Sequence, residues 1–216
     1  MKKVIAVDGP AGAGKSTVSK IVAARLGFTY IDTGAMYRAV GLKFLNSGQP
    51  FTENFLAEIT RDIDIKLDDK AKVYLDGVDV TKEIRTPEVS KLASDVSKYG
   101  FVRKKLTDLQ REMATKGAVI MDGRDIGTQV LPNADVKIFL TATLDERARR
   151  RFEELKAKGS NVTLDAIKSE IAARDKQDSE REIAPLKQAE DAILIDSTGL
   201  TVDEVVTKIL RIVDGN

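Results

Sequence analysis

Short apolar runs alternate with helical patterns along the chain of 216 residues. Continuous apolar runs bounded by polar residues are typical of strands buried on both faces, and they fall at residues 4–8, 28–32, 118–122, 136–141 and 192–196. Between the runs, apolar positions recur at helical spacing, and the last helix begins at a capping box of Thr201 and Glu204. This alternation predicts an α/β fold with a parallel sheet covered by helices on both faces.

Residues 62–86 interrupt this alternation. Apolar and polar positions follow each other there with a period of two, and Asp76-Gly77 is a hairpin signal. The segment therefore predicts a small antiparallel β insertion within the α/β fold. It is either a surface decoration or an insertion that closes over a second substrate, and the spacing of its residues leaves both possibilities open.

The charge balance narrows the range of partners. The chain has 35 Lys and Arg against 34 Asp and Glu, so no bulk charge attracts nucleic acid or an anionic membrane. The apolar runs are too short to span a bilayer. From these features we expect a cytoplasmic protein that binds neither nucleic acid nor membrane.

Two missing residue types restrict the chemistry. Without Cys the chain has no disulfide and no thiol nucleophile, and without His it has no Ser-His-Asp triad. Catalysis is left to Lys, Arg, Asp and a metal held by oxygen ligands. Phosphoryl transfer can proceed with that set alone.

Residues 9–16 read GPAGAGKS and match the phosphate-loop pattern G-x-x-x-x-G-K-[ST]. The pattern lies between a predicted strand and a predicted helix, which is the context that a phosphate site requires. There the backbone N–H groups can surround phosphates, the Lys15 ammonium can follow the transferred charge, and the Ser16 hydroxyl can bind Mg²⁺. We therefore predict a nucleoside triphosphate site made of Gly9, Pro10, Ala11, Gly12, Ala13, Gly14, Lys15, Ser16 and Thr17.

Two later strand ends carry further polar groups. After the second strand, Asp32 or Thr33 can cap a helix while Arg38 offers a planar fork to a phosphate, although for this segment taken alone a plain cap with a surface arginine is the favoured explanation. After the third strand, Asp122 is placed to hold Mg²⁺ or its waters. Gly123 and Arg124 follow it and can approach a phosphate, and the next residue, Asp125, can accept hydrogen bonds from a base.

Arginines on two predicted helices are further candidates. In a helix over residues 144–158, Arg147 and Arg151 flank the apolar stripe and are predicted to meet a nucleotide. Arg149 and Arg150 are assigned to a solvated face whose arginines pair at i,i+4 with Glu146, Glu153 and Glu154. Arg174, Asp178 and Arg181 recur at i, i+4 and i+7, which predicts one stripe of a helix. An ordinary salt-bridge ladder is the default explanation of that stripe.

Six stretches together resemble the bacterial cytidylate kinases, a family of small P-loop nucleoside monophosphate kinases. They are DGPAGAGKS at 8–16, DTGAMYR at 32–38, EIRTPEVS at 83–90, DGRDIGT at 122–128, RDKQDSEREIAPL at 174–186 and DST at 196–198. The resemblance implies transfer of the γ-phosphoryl group of MgATP to CMP or dCMP, giving ADP and CDP or dCDP. It also implies one monomeric kinase domain over 1–216, with its core at about 1–35, 103–149 and 163–216, a monophosphate-binding insert at about 36–102 and a short lid at about 150–162.

The resemblance also implies roles for individual residues. Lys15, Arg124, Arg151 and Arg181 would act in catalysis, Ser16 and Asp122 would hold the metal, and Arg147 would join the phosphate loop in binding ATP. Ser94, Arg103 and Asp125 would recognise the cytosine, whose amine needs an acceptor such as Asp125. The CMP site would comprise Thr33, Tyr37, Arg38, Ser94, Arg103, Gly123, Arg124, Asp125, Arg174, Asp178 and Arg181.

Two alternatives stand beside this interpretation. One is another small P-loop kinase that acts on a different monophosphate or on a small hydroxyl acceptor. The other is a nucleotide-gated binding module, against which the chain lacks an N-K-x-D guanine motif and has Gly-Arg-Asp after Asp122 in place of D-x-x-G.

Overall fold

The computed structural model describes residues 3–68, 70–115 and 117–215. They form two compact units, one made of the residues up to 28 and from 118 onwards, the other of residues 29–117. The strands are β1 (Val4–Asp8), β2 (Thr29–Asp32), β3 (Ile65–Leu67), β4 (Val73–Leu75), β5 (Val78–Asp79), β6 (Val119–Gly123), β7 (Val136–Thr141) and β8 (Ile193–Asp196). The helices are α1 (Lys15–Leu26), α2 (Thr33–Asn46), α3 (Glu53–Arg61), α4 (Pro87–Val96), α5 (Gly100–Ala114), α6 (Leu144–Ala157), α7 (Leu164–Glu180) and α8 (Val202–Asp214).

The first unit is built on parallel strands in the order β6-β1-β7-β8. Ile5 of β1 lies opposite Ile120 of β6 and Val136 of β7, which places the phosphate-loop strand in the middle of this group. Helix α1 packs against β1 and β6, α8 packs on α1, and α6 packs on α7. The predicted α/β fold with a helix-flanked parallel sheet is confirmed, with strand ends displaced by at most one residue.

The second unit has its own apolar core, which includes Met36, Leu56 and Ile84. Helix α2 packs closely on α4, because a Cβ added to Gly41 would lie 3.1 Å from the Leu92 Cβ. Strands β3, β4 and β5 form the predicted antiparallel patch, and the hairpin residues Asp76 and Gly77 have φ values of 49° and 84°. The patch is confirmed, whereas its closure over a substrate stays a prediction.

The capping box at the start of α8 is present: the Thr201 side chain accepts from the Glu204 N–H, and the Glu204 carboxylate accepts from the Thr201 N–H. Residues 150–162, the predicted lid, cover the last part of α6 and the connection to α7. Their role as a lid and the bounds of core and insert stay predictions. Among the described helices, none has the length and apolar character needed to cross a bilayer.

Candidate active site

The phosphate loop joins β1 to α1 by a backbone path that only glycine can follow at key points. Gly9 has φ 150°, and a Cβ there would lie 1.9 Å from the Leu140 carbonyl oxygen, so any side chain would collide with β7. Gly14 precedes α1 with φ 87° and makes no side-chain capping bond. The first N–H groups of α1 therefore point to a potential anion without competition from a capping side chain.

Lys15 is buried within this loop, at 7% exposure, and its Nζ donates to the Pro10 carbonyl at 2.8 Å. Burial lowers the pKa of Lys15 well below its usual value and the nearby Arg124 lowers it further, while Asp122 and Asp8 oppose the change. A buried ammonium close to another cation is stabilised by added negative charge. The loop is therefore electrostatically prepared for a polyphosphate.

The two predicted metal ligands lie together in the first unit. The Ser16 hydroxyl donates to the Asp122 carboxylate at 2.7 Å, and Asp122 is 3% exposed at the carboxyl end of β6. Among the described residues there is no group of three or more Asp, Glu, His or Cys side chains able to hold a metal. One carboxylate and one hydroxyl fit Mg²⁺ in a nucleotide site, since that ion takes its other ligands from phosphates and water.

Arg147 lies behind the phosphate loop. Its guanidinium donates to the Ala11 carbonyl at 3.0 Å and the Ala142 carbonyl at 2.9 Å, and it pairs with Asp175 at 2.6 Å. A Cβ added to Gly12 would lie 3.2 Å from the Arg147 Cβ. Arg147 thus ties α6 and α7 to the loop, and its direct contact with ATP stays a prediction.

The assignment of Arg150 to a solvated, ion-paired helix face was correct for its i,i+4 pair with Glu146 but wrong for the rest of its guanidinium. Its guanidinium donates to the Ser197 hydroxyl at 3.0 Å and the Ser197 carbonyl at 2.7 Å, and its Nε donates to Glu146 at 2.8 Å. It lines a groove of about 410 Å³ together with Arg151 and Val205, and the phosphate-loop and α1 residues Gly12, Ala13, Gly14 and Thr17 line the same groove. The helical pattern of α6 could not show this, because Ser197 is 47 positions away along the chain.

A charged cluster connects the loop after β6 with the end of α7. Arg124 pairs with Asp178 at 2.9 Å, and Arg181 lies 3.8 Å from Asp178 and 3.5 Å from Asp125. Burial would raise the pKa of Asp178, but the Arg124 guanidinium and its neighbours hold that pKa below its usual value. Two arginines are thereby fixed around one ionised carboxylate.

One detail of the predicted charged stripe was wrong. Helix α7 ends at Glu180, and Arg181 follows it with extended backbone (φ −64°, ψ 141°). Its Nε donates to the Ala184 carbonyl, so the side chain is held by the turn after the helix and not by a further helical turn. Arg174 and Asp178 lie on α7 as predicted.

Sequence reasoning missed Asp8, the last residue of β1. Its Oδ1 accepts from the Ile126 N–H at 2.8 Å and its Oδ2 from the Gly127 N–H at 2.7 Å. Burial raises its pKa to about 6, even though both N–H groups act in the opposite direction. The only signal was an acidic residue at the end of an apolar strand, and its partners are 118 and 119 positions away.

Other predicted residues lie in the second unit, where Asp32 begins α2. Its Oδ1 accepts from the Ala35 N–H at 2.9 Å, and its other oxygen pairs with Arg85 at 3.0 Å. Burial would raise the pKa of Asp32, but Arg85 and Arg38 together hold it below its usual value. Arg38 also lies 3.5 Å from the Ser90 hydroxyl. Arg85, within the quoted EIRTPEVS stretch, is a further cation that the sequence reasoning did not single out.

The remaining candidates of this unit are on α2, α4 and α5. Arg103 is buried at 5% exposure, stacks 5.5 Å from the centre of the Tyr37 ring and donates to the Ser97 carbonyl at 3.2 Å. Thr33 is the first residue of α2, and Ser94 lies on α4. Tyr37 and Arg103 are thus brought together, and the roles of all four in binding CMP stay predictions.

A family model described as cytidylate kinase matches residues 5–215. The chain belongs to the cytidylate kinase family. A cytidylate kinase of Caldicellulosiruptor bescii is 58% identical over 217 residues, covering 98% of this chain and 96% of that protein. A cytidylate kinase of Bacillus licheniformis is 54% identical over 218 residues, covering 99% and 96% respectively. The predicted family is confirmed, and with it the class of nucleoside monophosphate kinases.

Similarity to solved structures extends beyond this family. A gluconokinase of Sinorhizobium meliloti superimposes with a TM-score of 0.51 at 14% identity, covering 97% of this chain and 90% of that one. At this level of identity the likeness concerns the fold alone. This chain therefore shares its fold with that gluconokinase.

Proposed function

We propose that this chain transfers the γ-phosphoryl group of ATP, with Mg²⁺, to CMP or dCMP, giving ADP and CDP or dCDP. The observation that carries the proposal is a phosphate loop with buried Lys15, joined within one unit to the Ser16–Asp122 pair and the Arg124–Asp178–Arg181 cluster. We further propose that the enzyme is cytoplasmic and monomeric. Size-exclusion chromatography with light scattering would test whether it is a monomer.

ATP is proposed to bind with its phosphates along residues 9–17 and its nucleoside in the adjoining groove. Arg150 is half-buried in the groove wall, and Ser197 and Glu146 hold its guanidinium in place. A guanidinium held in this way can stack on a base at a low cost in entropy. Arg151, on the same wall, is currently paired with Glu154 at 2.8 Å and can turn to a phosphate.

Mg²⁺ would be held by Ser16 and Asp122, and when bound it supplies charge neutralisation on the phosphate oxygens. The chain's own cations contribute the rest. Lys15, Arg124 and Arg181 are fixed by Pro10, Asp178 and Asp125, so they need little rearrangement to stabilise charge that develops on the transferred group. The acceptor oxygen belongs to an anionic phosphate, which is why a chain without His can perform this reaction.

We assign the selectivity for cytosine to Asp125, and we propose that Ser94 and Arg103 also recognise the base. The exocyclic amine of cytosine donates a hydrogen bond that a carboxylate can accept, whereas uracil presents a carbonyl at the same place. A buried carboxylate that faces an acceptor loses its hydrogen bond. Tyr37 supports Arg103; Thr33, Arg38, Gly123 and Arg174 are proposed to contact the CMP phosphate or ribose.

The test is an ADP-release assay with CMP, dCMP, UMP and AMP, performed on the wild type and on Asp125→Ala. A charge-assisted hydrogen bond is worth about 1.5–3 kcal/mol, so kcat/KM for CMP should fall roughly 10- to 150-fold in the variant. The value for UMP should fall much less. Equal losses for CMP and UMP would remove Asp125 as the reader of the amine. Transfer to another acceptor in preference to CMP would support a different small-molecule kinase.

A further inference from the structure

The loop that follows β6 is hydrogen-bonded to one buried carboxylate, that of Asp8. Asp8 is 5% exposed, and its two oxygens accept separate hydrogen bonds from the consecutive N–H groups of Ile126 and Gly127. This arrangement engages both oxygens of the Asp8 carboxylate with backbone N–H groups of one loop.

The two N–H groups directly follow the residue proposed to read the base. Asp125 has an irregular backbone conformation (φ −146°, ψ 26°), and its carbonyl accepts from the Gln129 N–H at 2.9 Å. Its peptide link to Ile126 is therefore fixed on both sides, by Gln129 at the carbonyl and by Asp8 at the N–H. A small rotation of that link would swing the Asp125 carboxylate away from its place.

The space around this contact is tight. A Cβ added to Gly127 would lie 3.3 Å from the Asp8 Oδ2 and 3.1 Å from the Lys137 Cδ. A side chain at position 127 would therefore crowd the Asp8 carboxylate, and the two hydrogen bonds hold the wild-type loop against that carboxylate. Arg181, 3.5 Å from Asp125, restrains the carboxylate itself.

We infer that Asp8 is a positioning residue for nucleobase selection: by binding the Ile126 and Gly127 N–H groups, it holds Asp125 where a cytosine amine can reach it. This rests on the proposed function, in which Asp125 reads the amine. Asp8, which directly precedes the proposed ATP phosphate loop, would thus contribute to selection of the nucleoside monophosphate. Positioning of this kind affects the substrate that uses the hydrogen bond more than the one that does not.

The experiment compares wild type, Asp8→Asn, Asp125→Ala and the double variant, with kcat and KM measured for CMP and UMP. An asparagine keeps one acceptor but turns an N–H donor towards one of the two backbone N–H groups, so one hydrogen bond is lost and the loop is pushed open. We expect Asp8→Asn to lower kcat/KM for CMP by about 10-fold, mainly through KM, and to change UMP by less than about threefold. Once Asp125 is alanine, Asp8→Asn should no longer alter the CMP to UMP ratio.

Asp135→Asn is the matched control, because Asp135 also accepts from a β1 backbone group, the Val4 N–H at 2.7 Å, but at the opposite end of that strand. It should leave the CMP to UMP ratio unchanged even if it lowers thermal stability. Gly127→Ala is the second variant, which keeps Asp8 but crowds its oxygen, and it should move the ratio in the same direction as Asp8→Asn.

The outcomes separate this inference from the proposed function. If wild type prefers CMP and Asp8→Asn and Gly127→Ala both keep the wild-type ratio, the inference is overturned and the function stands. An equal ratio change from Asp8→Asn in the presence and absence of the Asp125 carboxylate also overturns it. Wild type that does not transfer phosphoryl to CMP overturns both.

Discussion

Asp8 gives a sharp test of the electrostatics, because burial and hydrogen bonding act on it in opposite directions. Burial raises its pKa from 3.8 to about 6, and Asp125 adds to this effect, while the Gly127 and Ile126 N–H groups and Lys15 only partly offset it. The folded protein therefore holds the Asp8 proton more strongly than the unfolded chain does. The stabilisation that results is complete below pH 3.8 and is lost as the pH rises through about 6.

The perturbation that isolates this effect is Asp8→Asn, which cannot titrate. A full shift from 3.8 to about 6 corresponds to about 3 kcal/mol, and about 2 kcal/mol of that falls between pH 4 and pH 7. Urea unfolding of both proteins at the two pH values gives the difference in free energy of unfolding, wild type minus variant. Other titrating groups are shared by the two proteins and largely cancel.

We expect that difference to decrease by about 2 kcal/mol from pH 4 to pH 7. The absolute cost of the asparagine does not matter, because it enters at both pH values. A difference that stays constant, or that increases with pH, would show that the two backbone hydrogen bonds outweigh burial in setting the Asp8 pKa. The electrostatic description of the loop given above would then be incorrect.

Three further results are expected. Lys15→Met should lower kcat by on the order of 10²-fold or more with the fold intact by circular dichroism, and a change of only a few-fold would exclude Lys15 from the transfer step. Excess EDTA should abolish ADP release and Asp122→Ala should raise the Mg²⁺ concentration needed for half-maximal rate; activity that persists in chelator contradicts the metal assignment. Arg150→Ala should raise KM for ATP by on the order of 10-fold with KM for CMP little changed, whereas Arg149→Ala, on the exposed side of α6, should leave both near wild type.

The strands and the phosphate loop could be predicted from the sequence because their signals are local. Continuous apolar runs identified β1 and β7 to the residue, and Asp76-Gly77 identified the β4–β5 hairpin, since both residues need positive φ. The Ser16–Asp122 pair was also predictable, because strand ends of a parallel sheet meet at one edge. Each of these inferences depends on spacing within a short segment or on one general rule of topology.

The arginines of α6 show where this reasoning stops. A helical wheel gives the angle of Arg147 and Arg150 to the apolar stripe of α6. That angle does not identify the residues that pack against the helix. Arg147 is held by the Ala11 carbonyl and Arg150 by Ser197, partners that are 136 and 47 positions away. The helical pattern therefore predicted a nucleotide contact for Arg147 and a solvated face for Arg150, and it could not identify the Ala11 and Ser197 partners.

Asp8 is a residue of the candidate site to which sequence motifs assigned no role. The residues that we propose to touch a substrate include those of the motif DGRDIGT, and a motif can be found in a single sequence. A residue that holds such a motif in place needs only the right atoms at the right distance, and here it belongs to a different strand. Its raised pKa means that ionising Asp8 costs more in the folded protein than in the unfolded chain, yet only the ionised form offers acceptors to both N–H groups without a competing proton. A buried carboxylate that is harder to ionise in the folded protein, and that holds the loop of the proposed base reader Asp125, supports the inferred contribution to specificity.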